Sequence, residues 1–283
     1  MSEELTRENY HSREMAQAYM SYSQFKRFEE CEVLALAEIK GEYERPLTDS
    51  LLYGSWVDEH FNGPEDEKRF IEENKDKLYS PKTGVLYAAF KDVKKTIDFI
   101  ENYTNEDGEK VLLKYMSGQR QVIFTGEIAG VPFKSMIDSY FPGKCIVDGK
   151  VMKDFERVWV VRDGRNVKVD FVEAYGYPIE GAIFQELENQ NARKSDPHAK
   201  KLPFVLEPVT KEEIPNADLI LIDQDILDDT LERIKEKAPR YQRIKMGLEQ
   251  PIGCGKCPVC LSKKQIYAPK SYRKLFLEEQ EEE

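Results

Sequence analysis

The spacing of apolar residues divides the chain into three parts. In residues 1–118 the period is helical. Phe25, Phe28, Val33 and Leu36 recur about one turn apart in YSQFKRFEECEVLALAEIK. That pattern predicts one helix, capped by Ser21 or Ser23 and ended by Gly41 and Pro46. A second helix starts near Thr48 and carries LLYGSWVDEHF, and charged amphipathic helices fill residues 64–118. In residues 119–224 the period shortens. Gln119 to Ala129, Val131 to Phe141 and Cys145 to Val151 read as strands, separated by Ala129-Gly130 and Pro142-Gly143-Lys144. VDFVEAYGY (169–177), KLPFVLEPVT (201–210) and ADLILIDQ (217–224) read as further strands. A helix opens at Pro178 and runs to about Asn189. Residues 225–283 hold a long helix, interrupted near Pro239, then a cysteine-rich loop and an acidic tail. The expected architecture is α/β: a single domain with a central mixed β-sheet flanked by helices.

Composition narrows the class. A chain of 283 residues with 40% hydrophobic content can bury a substantial core. Its 42 basic and 53 acidic residues give a net charge of −11, unlike a generic nucleic-acid binder. A local basic groove beside acidic metal ligands and an acidic tail remains compatible with that balance. No apolar run approaches the length of a membrane span and MSEELTRENYHSRE is polar, so the expected location is the cytoplasm, without membrane contact.

Chemistry concentrates in the second and third strands. Asp138 sits near the end of the one and Asp148 inside the other. Lys150, two residues on, shares a face with Asp148. Carboxylates and an ammonium converging at a sheet edge suit phosphodiester hydrolysis assisted by Mg²⁺ or Mn²⁺, because hard cations take oxygen ligands and offset phosphate charge. Lys150 would position the attacking water or stabilise developing charge. Glu127, one strand earlier, would assist. The plain alternative is an exposed hairpin whose charges face solvent.

The cysteines form a second signal. Cys254, Cys257 and Cys260 lie in GCGKCPVC, a spacing that argues for metal rather than disulfides in a cytosolic chain. A tetrahedral site needs a fourth thiolate, for which Cys31 is the candidate, while Cys145 reads as a buried small residue.

The D-(x)9-D-x-K arrangement resembles the PD-(D/E)XK nuclease superfamily, with Asp148 in the D/E place and Lys150 as its lysine. In RecB-like members a His on an early helix reaches the metal. Here the matching stretch holds Asp58, three positions after the Gly54-Ser55 pair, with His60 two positions on, and Asp58 is assigned as the third metal ligand; a solvated acidic helix end is the alternative. A Q-x-x-x-Y motif follows the catalytic strand in those relatives. Glu180 and Phe184 replace it here, with Glu180 still able to take part and Gln185 nearby. One N-terminal cysteine joined to three C-terminal ones resembles the iron–sulfur staple of AddB-type and CRISPR-adaptation nucleases. That implies a [4Fe–4S] cluster on Cys31, Cys254, Cys257 and Cys260, although the spacing is tighter than usual and Zn²⁺ is the alternative. SYSQFKRFEEC, LLYGSWVDEHFNG, TGEIAGVPFKSMIDSYFPGKCIVDGK, VEAYGYPIEGAIFQE and CGKCPVC occur in the order of a phage and prophage RecE-like group of Gram-positive bacteria. In that group Leu commonly stands at Gly149.

That resemblance implies a Mg²⁺-dependent exonuclease that digests duplex DNA ends and leaves single strands for a RecT-like annealing protein, in some relatives as a ring-forming homo-oligomer. Asp58, Asp138 and Asp148 would hold metal, and basic residues of SKKQIYAPKSYRK would touch the DNA backbone. Two rivals stand beside it. One is a nuclease-fold binding module without catalysis, which the Glu180 and Phe184 departures favour. The other is a zinc-ribbon regulatory protein, which leaves the carboxylates idle.

Overall fold

The computed structural model describes residues 4–162, 165–269 and 271–272; the acidic tail, residues 278–283, lies outside them. The N-terminal part holds α1 (Arg13–Ala18), α2 (Tyr22–Glu30), α3 (Glu32–Lys40), α4 (Asp49–Asn62), α5 (Pro64–Glu73), α6 (Lys75–Leu78), α7 (Val93–Asn102) and α8 (Val111–Met116). The sheet region follows with β1 (Gln119–Ile128), β2 (Val131–Phe141), β3 (Cys145–Met152), β4 (Val158–Arg162) and β5 (Arg165–Val169). Then come α9 (Phe171–Tyr175), α10 (Tyr177–Ala192), β6 (Phe204–Thr210), β7 (Ile220–Leu221), α11 (Gln224–Lys245) and α12 (Pro258–Ser262).

Five strands pair in the order β1-β2-β3-β6-β7, with β3 and β6 parallel and the other neighbours antiparallel. Every residue of β6 is buried, as expected of a strand covered on both faces. One face carries α2, α10 and α11, which pack Phe25, Ile183, Leu187 and Ile234 against Phe133, Ile146 and Phe204. The other carries α4, α7 and α8, whose Val57, Ile97, Leu112 and Met116 meet Val209. The result is the mixed sheet between helical layers that the hydrophobic pattern predicts. The β1–β2 turn is also as expected: Ala129 and Gly130 both have positive φ, the geometry of a two-residue hairpin.

Four local expectations need correction. The helix from residue 22 to 40 is two helices, because Cys31 adopts an extended backbone (φ −169°, ψ 114°) between α2 and α3. Residues 171–175 form α9 rather than strand. Asp170 caps it by accepting from the Glu173 N–H at 2.9 Å, and Gly176 closes it in the left-handed region. Helix α11 continues through Pro239, since the buried face of Ile234, Ala238, Tyr241 and Ile244 outweighs a missing N–H. The β4–β5 hairpin, a separate two-stranded sheet, has no counterpart in the expected strands.

Gly181 on α10 marks a close helix–sheet approach. A Cβ there would stand 2.5 Å from Phe204 Cδ1 and 2.9 Å from Leu227 Cδ2, whereas one at Gly54 on α4 meets nothing within 4 Å. Gly181→Ala is therefore expected to destabilise by about 1–3 kcal/mol through overpacking. Gly54→Ala should stabilise by about 0.5–1 kcal/mol, through helix propensity alone. Paired thermal melts that moved in the same direction would contradict this packing.

Candidate active site and cysteine cluster

Strands β2 and β3 pair at Phe141–Cys145, Tyr140–Ile146 and Ser139–Val147, and the ladder stops there. The next residues in register are Asp138 and Asp148. They are the first residues past a fork, where two carboxylates would otherwise be forced together. On the other side of β2, Gln121 of β1 faces Asp138 outside the ladder with φ 51°, and its side chain accepts from Arg7 Nε at 2.8 Å. The β1–β2 ladder is thus interrupted at Asp138 alone, with Arg120–Ser139 and Val122–Ile137 paired on either side of it, whereas the β2–β3 ladder ends there.

Other groups close in on the fork. Asp148 is 1% exposed, and Lys150 Nζ stands 2.7 Å from its Oδ2 and 3.3 Å from Glu180 Oε2 of α10. Asp58 of α4 and Lys150 line one small cavity on the opposite side, with Gly149 and Met116. Burial pushes the Asp58 carboxyl well above the usual carboxylate range. Asp138 pushes the same way, against Lys150 and Arg120. Asp148 is raised by burial and then by Glu180, with Lys150 opposing. Glu180 is raised by burial, again against Lys150. For Lys150, burial alone would lower the pKa, but Asp148, Glu180 and Asp138 outweigh it and hold the ammonium charged.

Two carboxylates, Asp148 and Glu180, therefore contact the Lys150 ammonium, and Asp58 and Asp138 lie near enough to feel its charge or one another's. The donor set fits a divalent cation, whose charge would offset the excess and whose preference is for hard oxygen. Among the described residues no three of these carboxylates bring an oxygen each within 4.8 Å of one another, as the four cysteine sulfurs do, so the fit rests on their oxygen chemistry, with waters left to complete a cation's shell.

Of the residues expected at this site, Asp58, Asp138, Asp148, Lys150 and Glu180 come together. Glu127 does not: it is exposed, pairs with Pro132 at the far end of β1, and exchanges backbone hydrogen bonds with Gln190. Gln185 also points elsewhere, bonding Leu202 O and Gln224. His60 binds Glu67 at 2.8 Å and Glu101 at 3.1 Å, tying α4 to α5 and α7. Sequence reasoning missed Tyr22 and Lys26, one helical turn apart on α2, which both donate to Tyr175 O. Burial lowers Lys26, against the pull of Glu30 and Glu180. It also missed Tyr177, whose ring centroid lies 5.7 Å from Lys150 Nζ. The i,i+4 polar pair within SYSQFKRFEEC was the available signal.

Glu207, opposite Gly149 on β6, is 1% exposed, and neither of its carboxylate oxygens has a hydrogen-bonding partner among the described residues. Burial pushes it up to about 8, with Arg120 opposing. Between the unfolded value of about 4.3 and this one, the folded chain holds a proton that the unfolded chain lacks, so stability falls as pH rises. Glu207→Gln should leave Tm unchanged at pH 5 and raise it by several degrees at pH 8.5. Parallel pH profiles for the two proteins would contradict this.

The cysteine cluster is built by the break at Cys31. Cys31 Sγ lies 3.7 Å from both Cys257 Sγ and Cys260 Sγ, and all four sulfurs fall within 4.8 Å of one another. The loop is clamped beside them. Arg240 of α11 grips Glu32 through two 2.9 Å bonds, and Glu32 accepts the Ile252 N–H at 2.6 Å. Gly253 leaves room for Cys260 Sγ, which a Cβ would meet at 2.9 Å. Burial would raise the Cys254 thiol, but the N–H groups of Lys256 and Cys257 and the neighbouring thiols outweigh it and bring it down to about 7. Thiolates around one tetrahedral ion stand about 3.8 Å apart for a metal–sulfur bond of about 2.3 Å, which matches these contacts. A four-iron cubane interposes a whole cluster and spreads its sulfurs farther. The residues fit a bound metal, and a single ion best.

The chain matches the family described as PDDEXK-like domain of unknown function (DUF3799) over residues 21–263. It is also similar to the crystal structure of a "putative exonuclease" from Eubacterium rectale, at 35% sequence identity and TM-score 0.84, over 96% of this chain and 98% of that one. No curated protein matches the chain. Family match, fold and the Asp148–Lys150 pair on the forked strand agree: this chain belongs to the PDDEXK-like domain family DUF3799, within the PD-(D/E)XK nuclease superfamily.

Proposed function

We propose that the protein is a metal-dependent deoxyribonuclease that digests DNA from its ends. The fork of β2 and β3 carries this reading, because it presents Asp138, Asp148 and Lys150 side by side with Asp58 beneath. Asp58, Asp138 and Asp148 would hold Mg²⁺ or Mn²⁺. When bound, the cation supplies positive charge that acidifies an attacking water and offsets charge on the phosphate. Lys150 keeps its proton, orients the water and faces the developing negative charge. Glu180 holds Lys150 in place from α10. The Eubacterium rectale neighbour's description supports end digestion. The resemblance to RecE-like phage proteins supports single-stranded products passed to a RecT-like annealing protein in a bacterial cytoplasm. No helix among the described residues is long and apolar enough to cross a membrane.

The test compares linear duplex DNA with the same DNA as a covalently closed circle, in Mg²⁺ or Mn²⁺. Loss of the linear form alone supports end digestion, and equal loss of both contradicts it. One observation favours a binding module instead: Glu180 engages Lys150 together with Asp148. End binding without cleavage in either metal would favour that reading.

At the cysteines we propose one structural Zn²⁺ on Cys31, Cys254, Cys257 and Cys260, supported by the 3.7 Å sulfur contacts. Purified protein should be colourless with about one zinc per chain. A brown preparation with iron and sulfide would contradict this and favour the cluster.

A further inference from the structure

The β4–β5 hairpin leaves the sheet between the strand that carries Asp148 and the helix that carries Glu180. Its two faces differ sharply. Val158, Val160, Val167 and Val169 alternate on the half-buried side. On the other side Trp159 and Val161 are 66% and 65% exposed, beside exposed Arg157 and Lys168. Trp159 stands directly across from Lys168. An indole this exposed, on a short hairpin, contributes nothing to the core.

Charge adds a second argument. Residues 157–169 carry four basic side chains and one acidic, in a chain of net charge −11. Among the described residues, Arg157, Arg165 and Lys168 have no carboxylate within ion-pair distance. The hairpin also borders the site. Val161 forms one wall of a cleft of about 790 Å³, and Lys26 and Gly176 line it too. Lys26 in turn lies close enough to Glu180 and Lys150 to feel both charges. Of the acidic residues at that cleft, Glu29 pairs with Arg233 and Lys237 and Glu30 with Arg45, Asp170 is engaged as the cap of α9, and Glu173 lines it as well.

We infer that this hairpin is a binding platform for single-stranded DNA, on which Trp159 stacks an unpaired base while Arg157 and Lys168, on the same face, meet the phosphates. A flat indole flanked by cations fits a strand whose base faces are free, and an intact duplex hides those faces. The inference deepens the proposed nuclease reading: it names the strand that the site handles beside the fork.

The chain has two tryptophans, and Trp56 is only 8% exposed, so base stacking has one accessible reporter. The experiment titrates the full protein with oligo(dT) in EDTA, where no cleavage occurs, following tryptophan emission and anisotropy of a labelled oligonucleotide. Oligo(dT) should quench the emission. Trp159→Ala should abolish the quench and weaken binding roughly tenfold, Trp159→Phe should keep most of the affinity, and Lys168→Glu should lower both affinity and its salt dependence. The inference is overturned if oligo(dT) binds without quenching and Trp159→Ala changes nothing. Equal quenching by a blunt closed duplex overturns it too, as does a Trp159→Ala protein altered only in oligomeric mass. Cleavage is scored separately. Cutting without a Trp159 effect removes the platform and leaves the nuclease, and quenching without cutting does the reverse.

Discussion

Asp148→Asn is expected to lower DNA cleavage on the order of a thousandfold while the protein melts at the same temperature or higher. The two effects share one cause. Asp148 is 1% exposed, and its charged form is disfavoured by burial and by Glu180 and Asp138. A carboxyl whose folded pKa lies above its unfolded value lends stability at low pH and loses it as pH rises through the folded value. Asparagine keeps the shape and removes that cost. It also removes an anion proposed to hold the metal, so the substitution is expected to trade function for stability. Melting curves and single-turnover cleavage on the same preparation separate this outcome from misfolding, which would lower both.

The second large effect belongs to the cysteine clamp. Cys31 links α2, α3 and the C-terminal loop through its contacts with Cys257 and Cys260. Structural zinc contributes about 10–16 kcal/mol of apparent binding free energy in small zinc domains at neutral pH. Even a fraction of that is large beside the total stability of a domain. Cys31→Ser should therefore lower Tm by ten degrees or roughly that amount and open residues 250–263 to proteolysis. Cys145→Ser should do neither, since Cys145 lies apart from the other four. Wild type stripped by a strong thiol-competing chelator should behave like Cys31→Ser. A stripped protein that melts unchanged would show that the four thiols hold nothing of structural weight.

Much of this was legible in the sequence because the carrying signals are short-range. Val131–Phe141 and the start of β3 follow from alternation and turn chemistry, and the Asp148–Lys150 relation follows from strand period. The grouping of Cys31 with the loop cysteines follows from ligand counting. What stayed hidden depends on tertiary geometry. Periodicity runs through Cys31 without a pause, so the break that aims its sulfur leaves no local trace. Glu127 sits one strand from Asp138 in sequence order, yet the antiparallel register carries it to the other end of β1. The left-handed Gln121 opposite Asp138 is likewise a product of the assembled sheet. In 169–177, the Asp170 cap and the Gly176 stop were present but were outweighed by β-branched and aromatic residues.

We propose that the forked strands hold a cation and a lysine for phosphodiester cleavage. This is tested most directly by digestion of end-labelled linear duplex DNA with Mg²⁺ or Mn²⁺, wild type beside Lys150→Ala. Removing Lys150 leaves Asp148 and Glu180 buried without their shared cation, a change that costs about 3–5 kcal/mol in comparable buried pairs, so Lys150→Met serves as a second variant and both are assayed below their melting temperatures. Wild type is expected to release label only with metal present, and neither folded variant to release any. Digestion at the wild-type rate by folded Lys150→Met would contradict the proposal.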